Sequence, residues 1–323
     1  MTVAILIVNW NGGSLLNRCL QSVDAQSRRP DHVIVVDNAS TDDSLERAAG
    51  RLRGIQLIKL AQNAGFARAN NVAARAACRF DALALMNPDV IADPGWLDAL
   101  LTAAEADPGA AGFASRMLMA SAPAYLDGAG DSYHVSGRAW QKGYGVRSTM
   151  WPAGDAEVFA PCAAAALYRR DAFEEVGGFD ERFFCYFEDV DLAFRLRLRG
   201  YRCNYVHAAV VQHFGSAVTG YRSDFAVYHS ERNAVWTFVK NMPGPLMWMY
   251  LPQHLALNAA ALLFYPWRGQ GKVVWAAKLD ALLDLPAVLR QRTGVQRERR
   301  VAAWALRAAF TRGVLAPYIA RYR

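Results

Sequence analysis

An α/β fold built on a mostly parallel, Rossmann-like sheet, with helices on both faces and a C-terminal helical tail, is the class this sequence predicts. Three observations predict it. Apolar runs such as Val3–Asn9 and His32–Asp37 are continuous rather than alternating, as strands buried on both faces should be. Segments with helical spacing separate them, giving the β-α-β-α rhythm of a sheet covered on both sides. Clusters of Asn, Asp and Gly stand directly after successive strand candidates, where open α/β sheets bind ligands.

Each element has its own signal. After the first strand, Leu15, Leu16, Cys19, Leu20 and Val23 follow at helical spacing. The second strand ends at Asp37, and Ser40-Thr41-Asp42-Asp43 starts a helix in the manner of an N-cap. Residues 55–60 form a third strand, 66–78 a helix, and Ala82–Met86 a fourth strand. A helix over 94–106 and a strand over 111–115 complete this half. Residues 117–159 are rich in Gly, Tyr, Trp and Ser and weakly periodic, so they read as long loops or a small antiparallel patch over the site. A strand at 163–168, a short helix stopped by Gly177-Gly178, and a strand at 205–212 ending before His213 follow.

Three carboxylates, Glu188, Asp189 and Asp191, fall within four positions behind Phe183, Phe184, Tyr186 and Phe187. A helical period over 192–199, closed by Gly200, puts them in the first turn of a helix, where the helix dipole favours negative charge. A capped, dipole-matched helix start explains them; so does a sheltered carboxylate held as a general base. Neither GxGxxG nor GxxxxGK[ST] occurs, which disfavours a dinucleotide dehydrogenase or a P-loop NTPase.

Hydrophobic residues make up 53% of the chain, above the usual ~45–50%, so the core is large, the surface greasy, or both. Five scattered cysteines show neither metal spacing nor a disulfide framework, and the chain runs from Met1 straight into its first strand. A reducing, cytoplasmic setting is expected. The net charge of +7 is uneven: from Arg268 onward Lys and Arg exceed Asp and Glu by nine, leaving −2 for the rest. The main domain is therefore no polyanion binder by composition, and no nucleic-acid motif accompanies the basic tail.

Taken in order, Ile7-Val8-Asn9-Trp10-Asn11, Val35-Val36-Asp37-Asn38-Ala39-Ser40, Asn63-Ala64-Gly65-Phe66-Ala67, Met86-Asn87-Pro88-Asp89-Val90, Gly177-Gly178-Phe179-Asp180-Glu181, Glu188-Asp189-Val190-Asp191 and His213 resemble the family 2 inverting glycosyltransferases, which have a GT-A fold. The closer likeness is to the rhamnosyltransferase-like branch that builds bacterial surface polysaccharides. The likeness spans about 3–215 and is specific for fold and reaction class, not for the sugar.

The resemblance implies a donor that is a nucleoside-diphosphate sugar, such as a dTDP- or UDP-sugar, and a divalent cation, Mn2+ or Mg2+, to offset charge on the departing diphosphate. The family's Asp-x-Asp metal motif is here Asn87-Pro88-Asp89, so by the resemblance Asp89 would be the carboxylate ligand, Asn87 could offer only an amide, and His213 would be the second protein ligand. Asp37 would bind the base or ribose, with Asn9 and Asn63 completing that pocket. Arg68 would pair with the diphosphate, its bland alternative being a solvated helix arginine. Asp189 would be the base that deprotonates an acceptor hydroxyl from about 2.6–3.2 Å, and Glu188 would bind acceptor hydroxyls. Rival readings are a sugar-nucleotide nucleotidyltransferase and a non-catalytic membrane-bound scaffold.

The expected division is a catalytic domain over 1–240, with its donor half at 1–116 and its acceptor half at 117–240, and a tail over 241–323. Residues 245–267 run 23 positions without a Lys, Arg, Asp or Glu, but Pro252, Gln253, His254 and Asn258 interrupt them. A helix lying in the membrane interface, or re-entrant, suits this better than a span. Val301, Trp304, Ala305 and Ala308, with Arg299, Arg300 and Arg307 nearby, suggest a basic amphipathic helix for an anionic lipid surface at the cytoplasmic face of the inner membrane. The alternative is a helical hairpin packed on the catalytic domain or on a second copy in a homodimer.

Overall fold

The computed structural model describes residues 1–215, 220, 222–313 and 316. From the N-terminus the chain forms β1 (Val3–Asn9), α1 (Gly13–Asp24), β2 (His32–Asp37), α2 (Ser44–Ala48), β3 (Gln56–Lys59), α3 (Phe66–Ala76), β4 (Ala82–Met86), β5 (Val90–Ala92), α4 (Trp96–Ala106) and β6 (Ala110–Met119). Next come β7 (Ala122–Gly128), β8 (Asp131–Tyr133), β9 (Ala139–Gln141), β10 (Ala156–Val158), β11 (Ala165–Arg169), α5 (Arg170–Glu175), α6 (Glu188–Arg199) and β12 (Arg202–His213). The C-terminal helices are α7 (Asp224–Asn241), α8 (Gly244–Phe264), α9 (Gly271–Leu283), α10 (Leu285–Arg297) and the one-turn α11 (Ala303–Leu306).

The main sheet runs β10-β12-β6-β11-β4-β1-β2-β3. β3, β2, β1 and β4 are mutually parallel. β11 is antiparallel to both β4 and β6, and β12 is parallel to β6. Two reversals cancel, so β6 and β12 point the same way as β1, β2 and β4. The carboxyl ends of all these strands therefore share one edge of the sheet, and the amino end of β11 joins them there. That arithmetic of direction brings residues from opposite ends of the chain to one place.

β1 is buried on both faces and divides the core. Val3, Ile5 and Ile7 pack with Leu16, Cys19 and Leu20 of α1 and Trp96 and Leu100 of α4. Ala4, Leu6 and Val8 pack on the other side with Ala69 and Ala73 of α3 and Leu192 and Leu196 of α6. A third cluster, with Phe159, Phe194, Phe238 and Leu246, joins α6 to α7 and α8. The C-terminal helices thus dock on the sheet domain through one of their faces.

Residues 117–159 do form an antiparallel patch: β7 pairs with β6, and β8 with β9. β5, too short to show a period, pairs antiparallel with the end of β12, matching Val90 to His213. Two expectations need correction. The turn before α2 is organised by Asp42, whose Oδ1 accepts from the Ser44 amide and hydroxyl, and the Asp43 N-cap residue makes no side-chain cap. No long basic amphipathic helix occupies the region around Trp304. α11 is a single turn that buries Ala303 and Leu306, while Arg300 pairs with Glu175. The run 245–267 is helical from Gly244 to Phe264, and no described helix is long and apolar enough to cross a membrane.

Candidate active site

The acidic helix start sits on a backbone that few residues tolerate. Phe184 has φ 65 and ψ −64, and the Cys185 amide donates to the Phe183 carbonyl at 2.8 Å, a γ-turn of the rare positive-φ form. Tyr186 and Phe187 also have φ of 68. Three side-chain-bearing residues in such conformations hold strain of about 1–3 kcal/mol each. Asn233 of α7, fully buried, holds them in place: its Nδ2 donates to the carbonyls of Phe183, Cys185 and Tyr186 at 3.0, 3.0 and 2.7 Å. Arg232 donates to the carbonyls of Arg182 and Phe183 as well.

This loop also anchors the first half of the chain. The Ala67 amide donates to the Phe184 carbonyl at 3.1 Å. Gly65 has φ 83, and a Cβ there would lie 2.6 Å from the Phe184 ring and 2.7 Å from its carbonyl oxygen. Only glycine fits that approach. The Asn63 loop is therefore clamped against the aromatic run that precedes Glu188.

At the first turn of α6, Asp189 is half-buried and Glu188 is only 5% exposed. Asp189 Oδ2 accepts from the Ala163 amide at 3.1 Å, at the amino end of β11, and Oδ1 accepts from Val190 at 2.8 Å. Burial raises the Asp189 carboxyl against the lowering effect of these amides. Burial, then the charges of Asp189 and Asp191, push Glu188 well above its usual range, and its Oε2 has no hydrogen-bond partner. The expected acceptor contact at Glu188 thus falls on a buried side chain, with Asp189 the more open of the two. Asp191 faces inward, bound to Arg195, Lys240 and Asn241.

Asp89 and His213 meet because β5 pairs with the end of β12. His213 Nε2 lies 3.6 Å from Asp89 Oδ1, and its Nδ1 lies 2.7 Å from Asp127 Oδ2 on β7. Burial pulls the imidazole down, but the hydrogen bond to Asp127 and the charges of Asp89 and Asp127 push it up to about 10. Asp89 Oδ1 is buried without a hydrogen-bond partner, and no described group of three or more His, Cys, Asp and Glu could hold a metal alone. Two oxygen and nitrogen donors, one oriented from behind by a carboxylate, suit a divalent cation whose remaining ligands come from elsewhere. The Asn87 backbone donates to Ala164 and accepts from Val90, holding the turn that presents Asp89.

Asp131, at the start of β8, links the two groups. Burial and the charges of Asp189 and Asp127 hold its carboxyl well above the usual range. Asp189, Asp131, Asp127, His213 and Asp89 therefore form one electrostatic neighbourhood on one edge of the sheet. Sequence reading missed Asp127 and Asp131, although Asp127-Gly128-Ala129-Gly130-Asp131 carried a signal: two carboxylates bracketing a glycine turn.

The remaining expected residues separate. Asp37 is buried at the end of β2, and Asn9, fully buried, donates to its Oδ1 at 3.1 Å and to the hydroxyls of Ser40 and Ser44. Asn9 thus holds the Asp37 carboxylate in place. Asn63 accepts from Asn38, which accepts in turn from Ala64, so the two asparagines lock adjacent strand ends together. Arg68 is exposed on the first turn of α3, 3.7 Å from Glu181, as a surface helix arginine would be. A cavity of about 600 Å³ lined by Arg75, Glu174, Asp180, Glu181 and Lys240 contains none of the expected site residues.

A family profile described as "Glycosyltransferase like family 2" matches residues 2–237. A relative from Mycobacterium tuberculosis named N-acetylglucosaminyl-diphospho-decaprenol L-rhamnosyltransferase is 30% identical over 290 residues, 79% of this chain and 93% of the relative. Among solved structures, GalNAc-T7 with UDP, GalNAc and Mn2+ aligns with a TM-score of 0.60 at 15% identity over 74% of this chain. The chain spans only 48% of that protein. A mannosyltransferase from Pyrobaculum calidifontis in complex with GDP-Man and Mn2+ aligns with a TM-score of 0.57 at 18% identity, covering 87% of each chain. These two likenesses concern the fold.

Proposed function

Since the chain belongs to the family 2-like glycosyltransferases, of rhamnosyltransferase type, we propose that it inverts the anomeric centre of a sugar, rhamnose by likeness to its relative, while moving it from a nucleoside diphosphate to a hydroxyl of a lipid-linked or growing glycan at the cytoplasmic face of a membrane. The observation that carries this reading is the shared sheet edge. Asp189, partly exposed at the first turn of α6, lies in the same carboxylate neighbourhood as Asp89, Asp127 and His213.

Asp189 accepts the proton of the attacking hydroxyl, and its raised pKa makes it a better base at the expense of needing a higher pH to ionise. The Ala163 amide fixes its orientation. The loop 184–187 shelters it with aromatic rings. Asp37, held by Asn9, and the Asn38–Asn63 pair stand where the nucleoside would lie. Asp89 and His213 would hold a divalent cation, Mn2+ or Mg2+, with Asp127 orienting the imidazole. Such a cation offsets the charge that grows on the departing diphosphate.

The test is a panel of dTDP-, UDP- and GDP-sugars offered with a lipid-linked N-acetylglucosaminyl diphosphate, with and without Mn2+. Release of nucleoside diphosphate coupled to one added sugar is expected. Pyrophosphate as product, or no turnover with any donor, would remove the reading.

A further inference from the structure

Helices α8 and α9 and the turn between them carry a face that nothing in the described chain covers. Trp248, Leu255 and Leu263 on α8, Trp267 in the turn, and Trp275 and Leu282 on α9 are 58–91% exposed. The exposure is not poor packing. α8 buries Leu246, Tyr250 and His254 on its other side, and α9 buries Val274, Ala277 and Ala281. Each helix has a docked face and, opposite it, an apolar face left in water.

The charge pattern says what covers it. From Gly244 to Trp267 there is no Asp, Glu, Lys or Arg, and Arg268 and Lys272, both exposed, follow at the turn. The one carboxylate on α8 and α9 is Asp280, and it is turned inward to the Tyr228 hydroxyl. A protein partner would need hydrogen bonds every ~100–200 Å². This face offers little beyond indole N–H groups and Gln253 along a helix about 30 Å long. Apolar surface edged by Trp, with Arg268 and Lys272 at the turn and the exposed Asp284 only past the far end of α9, is what an interfacial helix presents to anionic lipid.

We propose that the α8–α9 face lies on an anionic bilayer and hands a membrane-borne acceptor to Asp189 past the aromatic edge of the active-site loop. α9 is fixed to α7 by Lys278–Glu231 and Tyr228–Asp280, and the α9 N-cap Gln270 binds Asp224. The first turn of α7 carries Phe225, whose ring meets those of Phe184 and Tyr186, directly before Glu188 and Asp189. The docking surface and the catalytic loop thus share one helix. The delivery step rests on the proposed glycosyl transfer; the docking face does not.

Flotation of the full chain with phosphatidylcholine vesicles, with and without phosphatidylglycerol, tests this. Binding to the anionic vesicles is expected. Leu263→Gln/Trp267→Gln should lower it by about tenfold or more, from the apolar burial lost. Arg268→Gln/Lys272→Gln should lower binding several-fold on anionic vesicles alone. All four positions are exposed, so both variants should keep the wild-type Tm and equal transfer to a water-soluble acceptor, while transfer to vesicle-embedded acceptor falls with binding. Absence of flotation, or flotation unchanged in both variants, overturns the docking face. So does a dimer in light scattering that Leu263→Gln/Trp267→Gln converts to monomer without any vesicle binding. Intact flotation with no transfer to either acceptor would leave the docking face standing and remove the glycosyltransferase reading instead.

Discussion

Replacing Asn233 with alanine removes the amide that holds the catalytic loop in its strained form. Three carbonyls lose a donor: those of Phe183, Cys185 and Tyr186. Phe183 keeps Arg232, so the loss falls on the carbonyls of Cys185 and Tyr186. A buried carbonyl left unsatisfied costs about 1–3 kcal/mol, which gives about 2–6 kcal/mol for the pair, less whatever strain at Phe184, Tyr186 and Phe187 is relieved. The expected stability loss is therefore about 2–4 kcal/mol, read as a lower urea midpoint with unchanged slope. Relaxation of the loop also shifts Asp189, and a displacement of about 1 Å can lower turnover about 100-fold. Asn233→Asp should do at least as much harm, since it sets a carboxylate against three carbonyls. The assay is urea unfolding followed by Trp fluorescence, beside kcat at saturating donor. A folded Asn233→Ala protein with kcat within about twofold of wild type would refute the role given to this residue.

Other expected outcomes follow from single contacts. Gly65→Ala forces a Cβ into Phe184 at a positive φ, so the Asn63 loop must move; nucleotide affinity should fall while the fold survives, as titration calorimetry with nucleotide would record. Lys240→Met strips the buried Asp180 and Asp191 of their shared cation and should destabilise by about 3–5 kcal/mol in urea unfolding. His254, stacked on Phe238 and bonded to the Ser136 carbonyl, has its pKa lowered to about 4, chiefly by burial. Below about 6.5 the unfolded chain takes up a proton that the folded chain refuses, so this contribution is full above that pH and lost as pH falls toward 4. The loss is about 3 kcal/mol, and urea midpoints between pH 7 and 4.5 should fall less steeply in His254→Gln. Transfer should rise with pH through an acid limb lying above the ordinary aspartate value of about 3.9, because burial raises Asp189; a kcat flat down to pH 4 would contradict that.

The parallel half of the sheet is legible in sequence because strands buried on both faces are continuous apolar runs, as Val3–Asn9 and Ala82–Met86 are. α6 is legible from its acidic first turn and from Gly200, which takes φ 100 past its end. β5 and β10 are not, since three residues hold no period; their pairing comes from β12. Asp127 escapes notice because its meaning lies in contact with His213, 86 positions away. Asn233 is less visible still, a lone asparagine in a helix whose partners are backbone carbonyls nearly fifty residues earlier. The strain at Phe184, Tyr186 and Phe187 leaves no trace either, because aromatic residues ordinarily argue against positive φ. The tail misleads at α11, where the apolar residues Ala303, Leu306 and Phe310 serve the third core cluster.

Asp189→Asn is the most direct test of the proposed chemistry. The amide is nearly isosteric and keeps an oxygen for the Ala163 amide, so fold and donor binding should stay within about twofold of wild type. With its basicity gone, single-turnover transfer from the preferred nucleotide sugar should slow by about 10²–10⁴. Transfer at a near-normal rate by the folded, donor-bound variant would mean that another group takes the proton.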